Sequence, residues 1–170
     1  MVSLQLAVLA ALLGQGPSPL AAAMSATITR YSTNMPGAAD LMPADKYGFK
    51  PTPAQMSFGA IIAHETTSNE TLCRAIGGSG QTPSESAADA NSPKDSLVAR
   101  LKRSFDTCKQ VVANISEAGL SDSVPWFNGR KVTRARAVIA LAQDWADHYA
   151  QASMYLRANG ILPPSARPPQ

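Results

Sequence analysis

Two histidines and one aspartate are the side chains of this sequence best suited to binding a metal ion. Asp144 and His148 are four residues apart, so in a helix they lie on one face within reach of a single ion. His64, the only other histidine in the sequence, falls at the edge of the apolar stripe of a second amphipathic segment. Three such ligands hold a first-row divalent ion and leave room for water or substrate. These three residues are therefore a candidate metal site.

Each of these residues also has an ordinary structural interpretation. A single histidine on an amphipathic helix is usually structural, and Asp144 could satisfy His148 as an ion pair without any metal. Glu65 and Asp147 adjoin the candidates in sequence but are expected to point elsewhere on their helices, and solvation is the preferred interpretation for both. No motif identifies catalytic residues, because Ser-His-Asp and Cys-His patterns, paired carboxylates and a phosphate-binding loop are all lacking.

The two segments that would carry the ligands have the pattern of helices with defined ends. The first is predicted over 57–76, with Ser57 as its N-cap and a stop at Gly77-Gly78. The second is predicted over 133–159, with Thr133 as its cap. Its inner stripe contains four apolar residues: Leu141, Trp145, Ala152 and Tyr155.

Two further helices complete the prediction. Ser92-Pro93-Lys94-Asp95 has the features of a capped helix start, and an apolar stripe continues the helix over 93–117. A first helix is predicted over 25–42, broken at Pro36-Gly37 because proline removes a helical hydrogen bond. No stretch alternates apolar and polar residues over enough positions to predict a β-strand. The expected fold is an all-α, antiparallel four-helix bundle, with its site on inward side chains of facing helices.

Composition narrows the class of protein. The 170 residues suit one domain with a sizeable core, and 45% of them are hydrophobic. The net charge of the chain is only +3, and its lysines and arginines are dispersed along the sequence. A nucleic-acid partner is therefore not expected. Cys73 and Cys108 are the only cysteines, and they form either one disulfide or two small buried apolar side chains.

The N-terminus has the character of a signal peptide over residues 1–23. This stretch has no charged residue, and it contains an apolar run at 2–13 and small residues before position 24. The run is too short to span a membrane. We predict export to the periplasm or the extracellular space without stable membrane association, a domain over 24–165, and a disordered tail over 166–170. A cytoplasmic location is the alternative, because no lysine or arginine precedes the apolar run.

Several short stretches together resemble the DinB-like four-helix proteins. They are MPADKYGFKPTP at 42–53, SFG at 57–59, AH at 63–64, DHY at 147–149 and YLRANGILPP at 155–164. The resemblance covers almost all of the chain after residue 27. It implies a DinB/YfiT-like bundle, a divalent ion held by three histidines from the second and fourth helices, and frequent homodimers. It also implies thiol-dependent transferase activity in some members.

The resemblance carries over residue by residue to the candidate site. The first family histidine falls on His64 and the last on His148, whereas the middle one falls on Asp144. Aspartate is an acceptable ligand for zinc, nickel, iron or manganese, and it makes the site harder than three histidines would. We therefore predict a divalent-metal-dependent enzyme of the thiol transferase or hydrolase class that acts on a small-molecule substrate. The alternative is a non-catalytic metal-binding or stress-related scaffold with a degenerate site.

Overall fold

The computed structural model describes residues 19–80 and 86–168, which form four long helices and one short hairpin. The helices are α1 (Pro19–Leu41), α2 (Phe58–Ile76), α3 (Lys94–Ala113) and α4 (Arg134–Ala158), and the hairpin pairs β1 (Ser123–Pro125) with β2 (Lys131–Thr133). Helices α1 and α2 each pack against both α3 and α4. The all-α four-helix bundle predicted from the sequence is confirmed.

The core lies along the axis of this bundle, and all four helices contribute to it. Its largest fully buried side chains are Trp145, Phe58, Phe105, Met35, Met42, Ile61, Ile62, Ile76, Leu97, Leu101, Leu141 and Leu156. Because such residues recur every three to four positions along each helix, each helix presents one apolar stripe to its neighbours. Packing of these stripes fixes α2 against α4, and these are the two helices that carry the candidate ligands.

The predicted caps of α2 and α4 are confirmed, and that of α3 is wrong. Ser57 Oγ accepts from the Ala60 N–H at 3.1 Å, and Thr133 Oγ1 accepts from the Arg136 N–H at 3.3 Å. Helix α3 begins at Lys94 after Pro93, and no side chain caps it. It also ends at Ala113, before the predicted 117, because the chain leaves the helix at Asn114 and forms a short 3-10 turn over Ala118–Ser121.

Helix α1 corrects the prediction of a broken first helix. It begins at Pro19 and continues unbroken through Pro36 to Leu41. Burial explains why the helix tolerates Pro36. Met35 and Pro36 are buried against the other helices, and this tertiary packing offsets the hydrogen bond that proline removes. At the C-terminal end of α1, Lys94 Nζ donates to the carbonyls of Asp40 at 2.7 Å and Met42 at 2.8 Å.

The hairpin corrects the expectation that the chain contains no strand. Val124 lies opposite Val132 in a ladder of three residue pairs, and Val124 is buried under the helices. An Asn-Gly pair forms the turn inside it. Asn128 and Gly129 both have positive φ, 59° and 70°, a conformation that asparagine and glycine adopt more readily than other residues.

Two tertiary links hold the connecting segments to the bundle. Tyr47 donates its hydroxyl hydrogen to the Ala39 carbonyl at 2.7 Å, and Phe49 contacts the Tyr155 ring edge to face.

Cys73 and Cys108 form a disulfide between α2 and α3, with their Cα atoms 5.3 Å apart. Of the two interpretations of these cysteines, the disulfide is confirmed.

Most of the predicted signal peptide lies outside the described residues. The part that is described, 19–23, belongs to the first turns of α1. Within the predicted tail, Arg167 Nε donates to the Leu162 carbonyl at 3.0 Å, and positions 169–170 are not described. Among the described residues, no helix combines the length and apolar character needed to cross a bilayer.

Candidate metal centre

The structure brings His64, Asp144 and His148 together between α2 and α4. One ligand atom from each lies within 4.8 Å of the other two. The rings of His64 and His148 face each other with centroids 4.6 Å apart, and Asp144 Oδ1 lies 3.5 Å from His148 Nδ1. This arrangement follows from helix geometry, since Asp144 and His148 are one turn apart on α4 and α2 packs alongside.

The three side chains differ in exposure, and this gives the site an open side. His148 is buried, with 8% of its surface exposed, and Asp144 is half-buried. His64 is exposed. The site therefore faces solvent on the His64 side, where a small molecule could approach.

The hydrogen bond of His148 determines which of its ring nitrogens is free. Nδ1 lies 2.9 Å from the backbone carbonyl oxygen of Asp144, which can only accept a hydrogen bond. This contact favours the neutral tautomer with its hydrogen on Nδ1, which leaves on Nε2 the lone pair that a metal ion requires.

Electrostatics at the site favour neutral imidazole at His64. Partial burial of the imidazole lowers the pKa of His64 although the residue as a whole is exposed, the neighbouring His148 lowers it further, and the Asp144 carboxylate partly offsets both. Burial raises the pKa of Asp144, while both histidines and a hydrogen bond from Ser68 act in the opposite direction. The hydroxyl of Ser68 also lies 3.4 Å from His64 Nε2, so it connects two of the candidate ligands.

Glu65 corrects the expectation that it is solvated. Its side chain is fully buried, Oε2 lies 3.6 Å from His148 Nδ1, and neither carboxyl oxygen has a hydrogen-bond partner among the described residues. Burial raises the pKa of Glu65 well above its usual value, and the Asp144 carboxylate raises it further. Asp147 behaves as predicted, because it is exposed and accepts only from Gln151 at 3.1 Å.

A sequence signal for Glu65 existed. Glu65 is four residues after Ile61, three after Ile62 and four before Asn69, all of which are buried. It therefore occupies the centre of the inner stripe of α2, whereas His64 lies at the edge of that stripe. The same spacing that puts His64 at the edge of the stripe thus puts Glu65 inside it.

A buried network of polar side chains links the two helices of the candidate site to α3. Trp145 Nε1 donates to Asn69 Oδ1 at 2.6 Å, and Asn69 Nδ2 donates to Ser104 Oγ at 3.1 Å. These three residues come from α4, α2 and α3, so the network connects three helices, and Trp145 directly follows Asp144 in the chain. The disulfide adjoins it, since Cys108 Sγ lies 3.6 Å from the Asn69 carbonyl oxygen.

The residues present fit a divalent cation. Asp144 Oδ2 is buried and has no hydrogen-bond partner within residues 19–80 and 86–168, so one carboxylate oxygen of the site is uncompensated there. Two imidazoles and a carboxylate form a donor set that zinc, nickel, iron and manganese all accept. The ligand atoms also lie close enough to one another for one ion to contact all three.

Comparison with known proteins gives one family and several structures. The model of the DinB superfamily matches residues 28–152. A DinB-like protein from Bacillus subtilis is similar at 19% identity and a TM-score of 0.65, over 81% of this chain and 91% of that chain. A DinB-like protein from Bacillus cereus is similar at 12% identity and a TM-score of 0.65, over 80% of this chain and 90% of that chain.

A third solved structure is named for an enzymatic activity. It is a mycothiol-dependent maleylpyruvate isomerase, similar at 16% identity and a TM-score of 0.63 over 78% of this chain. The matched region spans 60% of that enzyme. The search of curated proteins gave no match.

Proposed function

The chain belongs to the DinB superfamily, and from that membership we propose that it binds one divalent metal ion through His64, Asp144 and His148. The observation that carries this proposal is the convergence of their ligand atoms, within 4.8 Å of one another, from two helices. The buried, unpartnered Oδ2 of Asp144 supports it, because a cation would compensate that oxygen.

The donor set bears on the choice of ion. Two neutral imidazoles suit zinc, nickel and iron, and the carboxylate of Asp144 adds a hard oxygen donor that also suits manganese. Asp144 offsets one of the two positive charges of the ion. The proposed site is therefore less electrophilic than a site of three histidines, and it discriminates less strongly against harder ions.

We propose an enzymatic role of the thiol transferase or hydrolase class with a small-molecule substrate. A divalent ion at this position supplies Lewis-acid activation of a water or thiol nucleophile. Asp144 and His148 are anchored on α4, and exposed His64 leaves the substrate side open. The similarity to a mycothiol-dependent isomerase supports thiol chemistry. The proposed export supports hydrolysis. Low-molecular-weight thiols are kept reduced inside cells, so an exported thiol transferase would lack its co-substrate.

The primary test is elemental analysis of untagged protein, since a histidine tag would itself bind metal. About one equivalent of a first-row metal per chain is the expected result, and its loss in His148→Ala assigns the metal to this site. Protein that contains no metal and takes up none from micromolar zinc or nickel would contradict the proposal.

A second measurement separates an enzyme from a binding scaffold. In protein loaded with Mn²⁺, an open coordination position gives fast relaxation of solvent water protons. The enzyme proposal predicts this enhancement, together with metal-dependent cleavage of activated esters or metal-dependent thiol alkylation. A metal-loaded protein with no exchangeable water and no turnover would instead support the scaffold.

The location and assembly of the chain are part of the proposal. We propose cleavage near Ala23 on export, no stable membrane association and no nucleic-acid partner, with homodimer formation as in the family. N-terminal sequencing of protein recovered from the periplasm or the culture medium tests the export. Sedimentation equilibrium tests the dimer, and a monomer at micromolar concentration would contradict it.

A further inference from the structure

We propose that Glu65 is a positioning residue for the metal centre: it accepts a hydrogen bond from the Nδ1–H of His148 and holds that ring with Nε2 directed toward the ion. This inference rests on the proposed metal site. It assigns a function to a side chain that lies next to the candidate ligands but outside the group whose ligand atoms converge.

The burial of Glu65 is the first argument. The side chain is fully buried on the inner face of α2, and both of its carboxyl oxygens are without hydrogen-bond partners. Burying a carboxyl group without a partner costs folding free energy, so an interaction in the assembled site is expected to offset that cost. Two groups of the proposed metal centre interact with Glu65: His148 Nδ1 lies 3.6 Å from Oε2, and the Asp144 carboxylate acts on it electrostatically.

The surroundings of His148 Nδ1 are the second argument. Nδ1 lies 2.9 Å from the Asp144 carbonyl oxygen, 3.5 Å from Asp144 Oδ1 and 3.6 Å from Glu65 Oε2. That carbonyl already accepts the helical hydrogen bond from the backbone of His148, and in the proposed site the Asp144 carboxylate directs its charge to the ion. Glu65 is therefore the remaining acceptor near Nδ1 once an ion is bound, and the proposed hydrogen bond requires the 3.6 Å separation to shorten.

The proposed role depends on an acceptor oxygen and not on charge. Both protonation states of a carboxyl group possess such an oxygen, as does the amide of glutamine. Glu65→Gln should therefore preserve the orientation of His148. Glu65→Leu fills a similar buried volume but offers no acceptor, so it should release the ring. Thr66→Val is the matched control, because Thr66 is buried on the same helix and its hydroxyl bonds only to the Ile62 carbonyl.

The test combines two readouts on the full chain. In metal-free protein, two-bond ¹H–¹⁵N spectra report the tautomer of each imidazole. His148 should be the Nδ1–H tautomer in the parent, in Glu65→Gln and in Thr66→Val, and a mixture of tautomers in Glu65→Leu. Zinc affinity from competition with a chelating dye should fall about 10- to 100-fold in Glu65→Leu, as is typical for loss of such a partner, and no more than about threefold in Glu65→Gln.

Three outcomes would overturn the inference. Glu65→Leu could bind zinc as well as the parent, with an unchanged tautomer. Glu65→Gln could lose as much affinity as Glu65→Leu, which would mean that charge is required. The visible absorption spectrum of the Co²⁺-loaded protein could change in Glu65→Gln, which would make Glu65 a direct ligand. Each result leaves the metal site standing if the parent binds zinc, whereas a parent that binds none refutes the proposed function itself.

Discussion

The imidazole rings of His64 and His148 lie with their centroids 4.6 Å apart, although they belong to different helices. Two imidazoles this close would repel each other if both were protonated, and His148 indeed lowers the pKa of His64. Neutral rings with Asp144 beside them are a suitable set of donors for one cation. The position of these rings on packed helices makes the site a consequence of the fold.

Substitutions at Asp144 test the ligand that departs from the family pattern. Asp144→Asn keeps the size of the side chain and removes its charge, so zinc affinity should fall by at least about tenfold, or about 1.4 kcal/mol. Asp144→His supplies a third imidazole and should tighten zinc and nickel binding by a similar factor. Titration calorimetry on the three proteins measures both effects. Equal affinity in the parent and Asp144→Asn would exclude the carboxylate as a ligand.

The Asn69 network should be important for stability. Asn69→Ala leaves the Trp145 indole N–H without its acceptor and Ser104 without its donor, in a fully buried environment. Loss of these partners should lower the free energy of unfolding by about 2–4 kcal/mol. Urea denaturation measures the loss, and Thr66→Val should cost less than about 1 kcal/mol. Similar losses in both variants would show that the network has no special importance.

The disulfide predicts a chemical and a thermodynamic result. Protein made in an oxidising compartment should contain no free thiol when denatured without reductant, because Cys73 and Cys108 are joined. The double Cys→Ala variant should lose about 2–4 kcal/mol of stability, given that 35 positions separate the two residues. Two titratable thiols in the unreduced protein would contradict this link between α2 and α3.

Tyr47 gives a pH dependence of stability at high pH. Burial raises the pKa of its hydroxyl, and the carboxylates of Asp40 and Asp95 raise it further. Above the unfolded value of 10.0, the unfolded chain loses this proton while the folded chain keeps it, so stability falls as pH rises. The difference in free energy of unfolding between the parent and Tyr47→Phe should therefore shrink by up to about 1.4 kcal/mol between pH 10 and 11. A constant difference in urea denaturation across this range would contradict the burial argument.

Much of the fold follows from helical periodicity alone. The stripes and caps predicted α2 and α4 to within a residue of their observed bounds, because Ser57 and Thr133 mark unambiguous starts. The continuity of α1 was not predictable in this way. Local preference disfavours Pro36 inside a helix, and only burial against the other helices overrides that preference. The hairpin was missed because strands of three residues are too short for alternation to be recognised.

The site was predictable where spacing alone determines it. Asp144 and His148 share one helical face at any bundle geometry, whereas the approach of His64 depends on how α2 packs against α4. The resemblance to the family supplied that second relationship. The burial of Glu65 departs from the general exposure of charged side chains, although its spacing from Ile61 and Asn69 places it on the inner face. The pairing of Asn69 with Trp145 joins distant segments, and no local pattern indicates it.

Metal binding by the parent protein and His148→Ala, compared by titration calorimetry with zinc and nickel, tests the central claim most directly. His148 supplies one of only three proposed protein ligands from a buried position, so its truncation should abolish high-affinity binding. The account predicts one ion per chain for the untagged parent and no measurable high-affinity binding for the variant, with both proteins equally helical by circular dichroism. If His148→Ala binds metal as tightly as the parent, the assignment is wrong and the contact of Asp144 with His148 is a structural feature of α4.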